Sequence, residues 1–212
     1  MIVTLAAVLV AGLAVRRELK PSKRRSVSPS PAPQYLRGWE RLSTGGMWLG
    51  DSTAPVRIIE FGDFECPYCR KLSTELKAVR DRYGAMVAIN WVHFPIPTHR
   101  FAMPAARAAL CAGDQQVFAA FHDAVFSKQD SLGLKSWVSY AVDAGVRDTL
   151  QFQACVTRAD PHPSISRGLN LGDSLGVDGT PTIVVNGWRY SVTPYDSMTG
   201  IVEKALKQMG VL

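Results

Sequence analysis

The sequence predicts an α/β fold with a helical region inserted into it, and three observations indicate this. An apolar run at 56–61 is followed directly by a segment of helical periodicity that begins at Cys66-Pro67. Far downstream, a β-branched run follows Thr180-Pro181 and ends in Asn186-Gly187, a pair typical of hairpin turns. Between Cys69 and Pro181 lie 111 residues, more than one strand and one helix need, and most of them show helical spacing.

Residues 1–17 are predicted to form an N-terminal hydrophobic anchor or signal segment. Met1 to Val15 are apolar or small, and Arg16-Arg17 follow. Such a run is short for a transmembrane helix and has the length of a signal-peptide core. No clear cleavage site follows it, which favours an anchor, but the positive-inside rule would then place the downstream chain in the cytoplasm. Cleavage and orientation are therefore left open.

Residues 18–37 are rich in Pro, Ser and basic side chains, a composition that predicts an extended linker. Residues 1–37 contain seven Lys or Arg and one acid, so they carry the whole formal charge of +6, while the remainder has 17 basic and 17 acidic residues. A neutral domain argues against nucleic-acid binding. The basic segment fits either a tether beside an anionic membrane or a solvated linker.

Residues 38–212 are enough for one domain with its own core. Val56 to Phe61 is predicted to be a buried strand, and the helix from Cys66 carries apolar residues at helical spacing until Gly84. Met86 to Phe94 is the next predicted strand. Helices are expected at 103–112, 116–127, 136–144, 150–157 and 164–175, and a hairpin strand at 188–192 and an amphipathic helix at 195–209 close the domain.

Cys66 and Cys69 are spaced for dithiol/disulfide exchange, as in thioredoxin-type folds. Both thiols lie on the first helical turn, close enough to join. The first is expected to face solvent at the helix N-terminus, where unpaired N–H groups and the helix dipole favour a thiolate. Pro67 is tolerated at the first helical position. We therefore predict Cys66 as the attacking sulfur and Cys69 as the resolving one.

A zinc half-site and a structural disulfide are the competing interpretations of this pair. A zinc site needs a second pair of ligands at short spacing, and neither Cys111 nor Cys155 has a nearby His partner. The sequence also contains no nucleotide-binding loop, metal cluster or hydrolase triad. We expect neither a metal nor a cofactor beyond the Cys66–Cys69 disulfide itself.

The chain resembles the DsbA-like family of thioredoxin-fold thiol:disulfide oxidoreductases from about residue 55 to residue 186. Three motifs carry the resemblance in family order: Phe-x-Asp-Phe-x-Cys-Pro-Tyr-Cys at 61–69, His-Phe-Pro-Ile at 93–96 with a later His99 and an Ala-rich helix, and Gly-Thr-Pro-Thr-x-x-Val-Asn-Gly at 179–187. The resemblance implies a thioredoxin fold with an inserted α-helical domain at about 98–175. It also implies that Pro181 is a cis-proline which, with Thr180, faces the cysteine pair.

The same resemblance suggests roles for further residues. Glu60 matches a buried acid that helps proton transfer to the resolving sulfur, although an exposed glutamate is the alternative. Tyr68 supplies no cation where strong oxidants of the family carry a histidine. His99 is expected to pack or to form a hydrogen bond rather than to bind a metal.

Cys111 and Cys155 fall on two predicted helices of the insertion. Some relatives carry a second, structural disulfide there, and an oxidising compartment favours the bridge. Two separate buried thiols are the alternative.

The family resemblance implies an envelope enzyme on the extracytoplasmic side, either anchored or secreted and expected to be a monomer. We expect it to oxidise unfolded or reduced exported proteins and to be recycled by a quinone-linked membrane partner of the DsbB-like or vitamin K epoxide reductase-like kind. An isomerase or reductase of the same fold is one alternative. A thiol-independent binding or holdase module is another, and a variant that works without Cys66 and Cys69 would identify it.

Overall fold

A computed structural model describes residues 32–160, 162–190 and 198–212 of the chain. The predicted anchor at 1–17 and most of the predicted linker lie outside these residues. The seven α-helices within them are α1 (Pro67–Tyr83), α2 (Ala102–Gly113), α3 (Phe118–Ser127), α4 (Trp137–Asp143), α5 (Thr149–Val156), α6 (Pro163–Ser174) and α7 (Met198–Gln208). Among the described helices, none is long and apolar enough to cross a membrane.

The described strands form one six-stranded sheet. They are β1 (Gln34–Tyr35), β2 (Met47–Leu49), β3 (Val56–Gly62), β4 (Val87–His93), β5 (Thr182–Val185) and β6 (Trp188–Tyr190), and they lie in the order β1-β6-β5-β3-β4-β2. Strands β3 and β4 are parallel and are joined through α1, whereas β5 pairs antiparallel with β3 and with β6. This arrangement, a βαβ unit followed by a hairpin and a helix, confirms the predicted thioredoxin fold.

Strand β3 lies at the centre of the sheet and is buried on both faces. Ile58 belongs to the core cluster that contains the apolar residues of α1, whereas Ile59 and Phe61 pack in a second cluster with Trp39 on the opposite face. Because side chains alternate along a strand, Glu60 lies on the same face as Ile58. The strand therefore places a carboxyl beneath the helix that begins at Cys66.

The helical insertion separates β4 from β5, as predicted. Helices α2 to α5 pack on one another, and α6 returns to the sheet against β4. The close approach of α6 requires Gly168, since a Cβ there would lie 2.3 Å from the His93 carbonyl oxygen. Cys111 on α2 and Cys155 on α5 are joined by a disulfide that closes a separation of 44 residues.

The described structure differs from the sequence expectation in several places. Gln34–Tyr35, within the predicted linker, form β1 and pair with β6. Strand β2 and a 3-10 helix at Trp39–Gly45 have no counterpart among the predicted elements. Helix α3 begins at Phe118 rather than at 116, because Gln116 has a φ of 64°, which no α-helix accommodates. The ends of the expected strand at 188–192 and helix at 195–209 fall partly outside the described residues.

Candidate active site

Helix α1 begins at Cys66, which is its N-cap residue. Cys66 has extended backbone angles, φ −70° and ψ 121°, and Pro67 is the first helical residue. The Cys66 N–H donates to the Asp63 carbonyl at 3.2 Å, and its own carbonyl accepts the Arg70 N–H at 3.2 Å. Proline fits this position because the first helical N–H has no intrahelical partner. The sequence therefore fixes where the helix starts and puts a sulfur at its positive end.

The Cys66 side chain is enclosed, contrary to the expectation that it faces solvent. The residue is only 4% exposed, and both Cys66 and Cys69 are free thiols in this structure. The Cys66 Sγ donates to the Thr180 carbonyl oxygen at 3.2 Å. The Thr180-Pro181 peptide bond is cis. The loop before β5 thus covers the cysteine from a position 114 residues away in the sequence.

Hydrogen bonds stabilise the thiolate form of Cys66. The Cys69 thiol lowers the pKa of Cys66 most, the Thr180 side chain and the backbone N–H groups of Cys69 and Tyr68 lower it further, and burial opposes them. Together they lower the pKa of Cys66 from 9.0 to about 6. A thiol with this pKa is mostly thiolate at neutral pH, which is the form that takes part in disulfide exchange.

The pKa of Cys69 is shifted in the opposite direction. It is fully buried, and burial raises the pKa of its thiol well above the ordinary value, with the hydrogen bond to Cys66 and the Glu60 carboxyl acting in the same direction. The Asp63 N–H donates to its Sγ at 3.5 Å. The two sulfurs therefore differ in the way that an attacking and a resolving thiol should.

Glu60 lies on β3 with no exposed surface. Neither carboxyl oxygen has a hydrogen-bond partner among the described residues. Burial raises the pKa of Glu60 from 4.5 to about 8, and the negative charge of the Cys66 thiolate adds to the shift. The position expected from the sequence thus holds a carboxyl that can carry a proton at neutral pH.

The loop between β3 and α1 is held by the start of the helical insertion. The Asp63 carboxylate accepts the Ile96 N–H at 2.8 Å and the His99 Nδ1–H at 2.7 Å, and it also accepts the Glu65 N–H at 2.7 Å. Glu65 in turn accepts the Phe101 N–H. His99 therefore forms a hydrogen bond, as expected, and Asp63 is a structural part of the site that the sequence analysis did not single out.

Gln129 was also missed. It lies in a 3-10 turn after α3, and its amide donates to the Phe64 and Cys66 carbonyl oxygens. A lone polar residue in a helical region gives no local signal of such a contact. Gln129 falls between the helices expected at 116–127 and 136–144, where no periodic pattern applies.

The other residues considered in the sequence lie in three separate places. Tyr68 is 62% exposed beside the cysteine pair. His93 is buried on β4, accepts the Trp91 indole N–H at 3.2 Å, and has its pKa lowered by burial to about 3. The Cys111–Cys155 bridge lies within the insertion. Among the described residues, no three His, Cys, Asp or Glu side chains are grouped so that they could hold a metal ion.

Sequence comparisons match the chain to a thioredoxin family model, to antiporters and to a disulfide bond formation protein. A family model described as Thioredoxin matches residues 42–204. The Na(+)/H(+) antiporter NhaA 1 of Mycolicibacterium gilvum is 34% identical over 154 residues, which are 70% of this chain and 24% of the antiporter. The chain thus spans about a quarter of the length of the antiporter relatives it matches. The probable disulfide bond formation protein D of Bacillus cereus is 28% identical over 171 residues, 76% of this chain and 78% of that protein.

Solved structures show the same fold. A thioredoxin-like oxidoreductase from Silicibacter pomeroyi shares 27% identity, with a TM-score of 0.63 over 79% of this chain and 97% of that one. Oxidised BdbD from Bacillus subtilis shares 22% identity, with a TM-score of 0.66 over 84% of this chain and 97% of that one. At 22% identity the second comparison supports the fold alone.

Proposed function

Because this chain belongs to the thioredoxin family and shares its fold with DsbA-like proteins, we propose that it is a thiol:disulfide oxidoreductase of the DsbA-like kind and acts as an oxidase that donates its Cys66–Cys69 disulfide to cysteines of exported proteins. The observation that carries the proposal is the contrast between the two sulfurs. The pKa of Cys66 is lowered to about 6, whereas the pKa of the buried Cys69 is raised.

The reaction begins with the oxidised pair. A substrate thiolate attacks the Cys66 Sγ, the Cys66–Cys69 bond breaks, and the electron pair of that bond leaves on Cys69. Cys69 takes up a proton, since burial raises its pKa. A second substrate thiolate then attacks the substrate sulfur of the mixed disulfide and releases Cys66 as a thiolate. The substrate loses two electrons and gains a disulfide, and the enzyme pair leaves reduced.

Thiolate stabilisation determines the direction of this exchange. A leaving thiol of low pKa departs faster, and a stabilised reduced form makes the disulfide a stronger oxidant. The Cys69 thiol, the Thr180 side chain and the helix N–H groups provide that stabilisation. Tyr68 adds no cation. We therefore place the reduction potential between the thioredoxin and strong-oxidant ends of the range, roughly −270 to −120 mV.

Glu60 is proposed to deliver the proton that Cys69 needs. Its pKa of about 8 keeps it largely protonated at neutral pH, and its charge raises the pKa of Cys69. A buried acid without a hydrogen-bond partner among the described residues can give up its proton without first breaking a hydrogen bond. Transfer from Glu60 to Cys69 would neutralise the sulfur as the Cys66–Cys69 bond breaks.

An extracytoplasmic location fits the cysteine chemistry. Disulfides such as Cys111–Cys155 persist in oxidising compartments and are rare in the cytosol of mesophiles. The apolar segment at 1–17 would bring the domain to the envelope, anchored or after secretion. The reduced pair would be reoxidised there by a quinone-linked membrane protein of the DsbB-like or vitamin K epoxide reductase-like kind.

A reductase or isomerase is the second candidate, and Tyr68 is the residue that favours it. The Cys-Pro-Tyr-Cys sequence lacks the histidine of strong oxidants, so the thiolate is stabilised by the Cys69 thiol, the Thr180 side chain and backbone N–H groups. A potential close to that of thioredoxin would support this candidate.

A redox titration distinguishes the oxidase from the reductase or isomerase. The full chain would be equilibrated in glutathione buffers, and the state of Cys66–Cys69 read by thiol alkylation and mass shift, with a Cys66→Ser/Cys69→Ser variant as the control for the other two cysteines. A potential well above about −270 mV supports the oxidase. A value at or below it contradicts the oxidase and leaves the reductase.

A further inference from the structure

Gln129 joins the helical insertion to the backbone that carries the reactive sulfur. Its side chain is buried, at 8% exposed, in the turn Gln129–Ser131 that follows α3. The amide nitrogen donates to the Phe64 carbonyl oxygen at 2.8 Å and to the Cys66 carbonyl oxygen at 3.0 Å. An amide NH₂ has two hydrogens, so both are used by carbonyls of the active-site loop.

The peptide group between Cys66 and Pro67 can be held only through its carbonyl. Pro67 has no N–H, so this peptide plane has no donor of its own. Its oxygen accepts the Arg70 N–H at 3.2 Å and the Gln129 amide at 3.0 Å. The Gln129 amide therefore restrains the plane, and with it the ψ angle of Cys66, which is 121°.

The ψ angle of Cys66 decides where its sulfur lies relative to the first turn of α1. The N–H groups of Tyr68 and Cys69, which help to stabilise the thiolate, follow immediately after this peptide. A rotation about ψ would move them away from the Sγ. We propose that Gln129 is a positioning residue that holds the Cys66 thiolate against these N–H groups, so that the helical insertion helps to determine the reactivity of the pair.

A purely structural role for Gln129 is the alternative, because two buried carbonyls need donors in any case. Such a role predicts a loss of stability without a change in the thiol. The inference rests on the proposed function in that it takes Cys66 as the reactive thiol. The experiment must therefore measure the thiol and the stability separately.

Asp130 provides a matched control. It follows Gln129 directly and pairs with Arg70 at 2.8 Å, so it also joins the insertion to α1. The Asp130 side chain is 83% exposed, and pairs of this kind contribute little to stability. An Asp130→Asn variant loosens the same junction but leaves both carbonyl hydrogen bonds in place.

The test is the titration of Cys66 in the reduced full chain, followed by thiolate absorbance and by the rate of iodoacetamide alkylation from pH 4 to 9. Gln129→Met keeps the side-chain length and removes both donors. We expect its Cys66 pKa to rise by about one unit, with a several-fold slower alkylation at pH 6, and its reduction potential to become more negative. Asp130→Asn should titrate like the wild type.

The outcomes distinguish a failure of the proposed function from a failure of the role proposed for Gln129. A wild-type Cys66 with an ordinary thiol pKa would contradict the proposed function itself. A wild type with a low Cys66 pKa, matched by Gln129→Met, would overturn the role of Gln129, as would an equal shift in Asp130→Asn. If Gln129→Met does not fold, Gln129→Asn, whose amide is one methylene short, provides the same comparison with the same expected direction.

Discussion

Replacement of Glu60 by Gln should remove a pH-dependent cost that the buried carboxyl imposes on the fold. The pKa of Glu60 is about 8 in the folded protein and 4.5 in an ordinary glutamate, so the unfolded chain loses this proton first as the pH rises. The free energy of unfolding of the wild type, compared with that of Glu60→Gln, is therefore highest below pH 4.5. It falls between pH 4.5 and 8 and stays low above pH 8. A difference of 3.5 units corresponds to about 5 kcal/mol over the whole window.

Urea unfolding of the oxidised proteins across pH 4.5 to 8.5 measures this cost. The Cys66 thiolate is absent in the disulfide form, so the effect there reports burial, the larger cause, and stays below about 5 kcal/mol. We expect Glu60→Gln to gain several kcal/mol on the wild type as the pH rises. An exposed control, Glu40→Gln, should follow the wild type. Parallel curves for Glu60→Gln, within about 0.5 kcal/mol, would refute the reasoning.

Three further predictions concern the cysteines and their neighbour. In the reduced protein, the alkylation rate of Cys66 should reach half its maximum near pH 6, and Cys69 should react slowly at every pH tested. A mass-mapped digest in which Cys69 reacts first would contradict this. Tyr68→His should place a cation beside the Cys66 thiolate and raise the reduction potential by about 30 mV, which is a tenfold change in the exchange constant. An unchanged or lower potential would contradict the claim that a cation at this position stabilises the thiolate. Removal of the Cys111–Cys155 bridge by paired alanine substitutions should lower the free energy of unfolding by about 4 kcal/mol, as measured in urea, and leave the Cys66–Cys69 potential unchanged; a shifted potential would show that the bridge acts on the site.

The long elements of the fold could be predicted because their signals are local. The apolar run of β3, the helical spacing of α1 and the turn at Asn186-Gly187 each depend on neighbouring residues, and both turn residues indeed have positive φ, 42° and 88°. Strands β1 and β2 have two and three residues, too few to show alternation. They exist because longer strands pair with them, which a linear pattern does not reveal.

The same distinction between local signals and distant contacts applies to the residues of the site. The sulfur pair could be found from its spacing, and the family resemblance supplied Thr180, Pro181 and Glu60 as expectations. The enclosure of Cys66 was missed although the resemblance placed Thr180 opposite the cysteine pair, because the expectation of a solvent-facing sulfur considered only the helix N-terminus and not the segment that reaches it from 114 residues away. Gln129 was missed for the same reason, since it contacts carbonyls more than 60 residues earlier in the chain.

Trapping of the mixed disulfide tests the central claim most directly, namely that substrates form the mixed disulfide with Cys66 and not with Cys69. Cys69→Ser and Cys66→Ser variants of the full chain would be mixed with a peptide activated as an aromatic disulfide, and the adducts weighed by mass spectrometry. We predict rapid, stoichiometric adducts on Cys66 in Cys69→Ser and very slow adduct formation in Cys66→Ser. Equal or faster trapping through Cys69 would contradict the account.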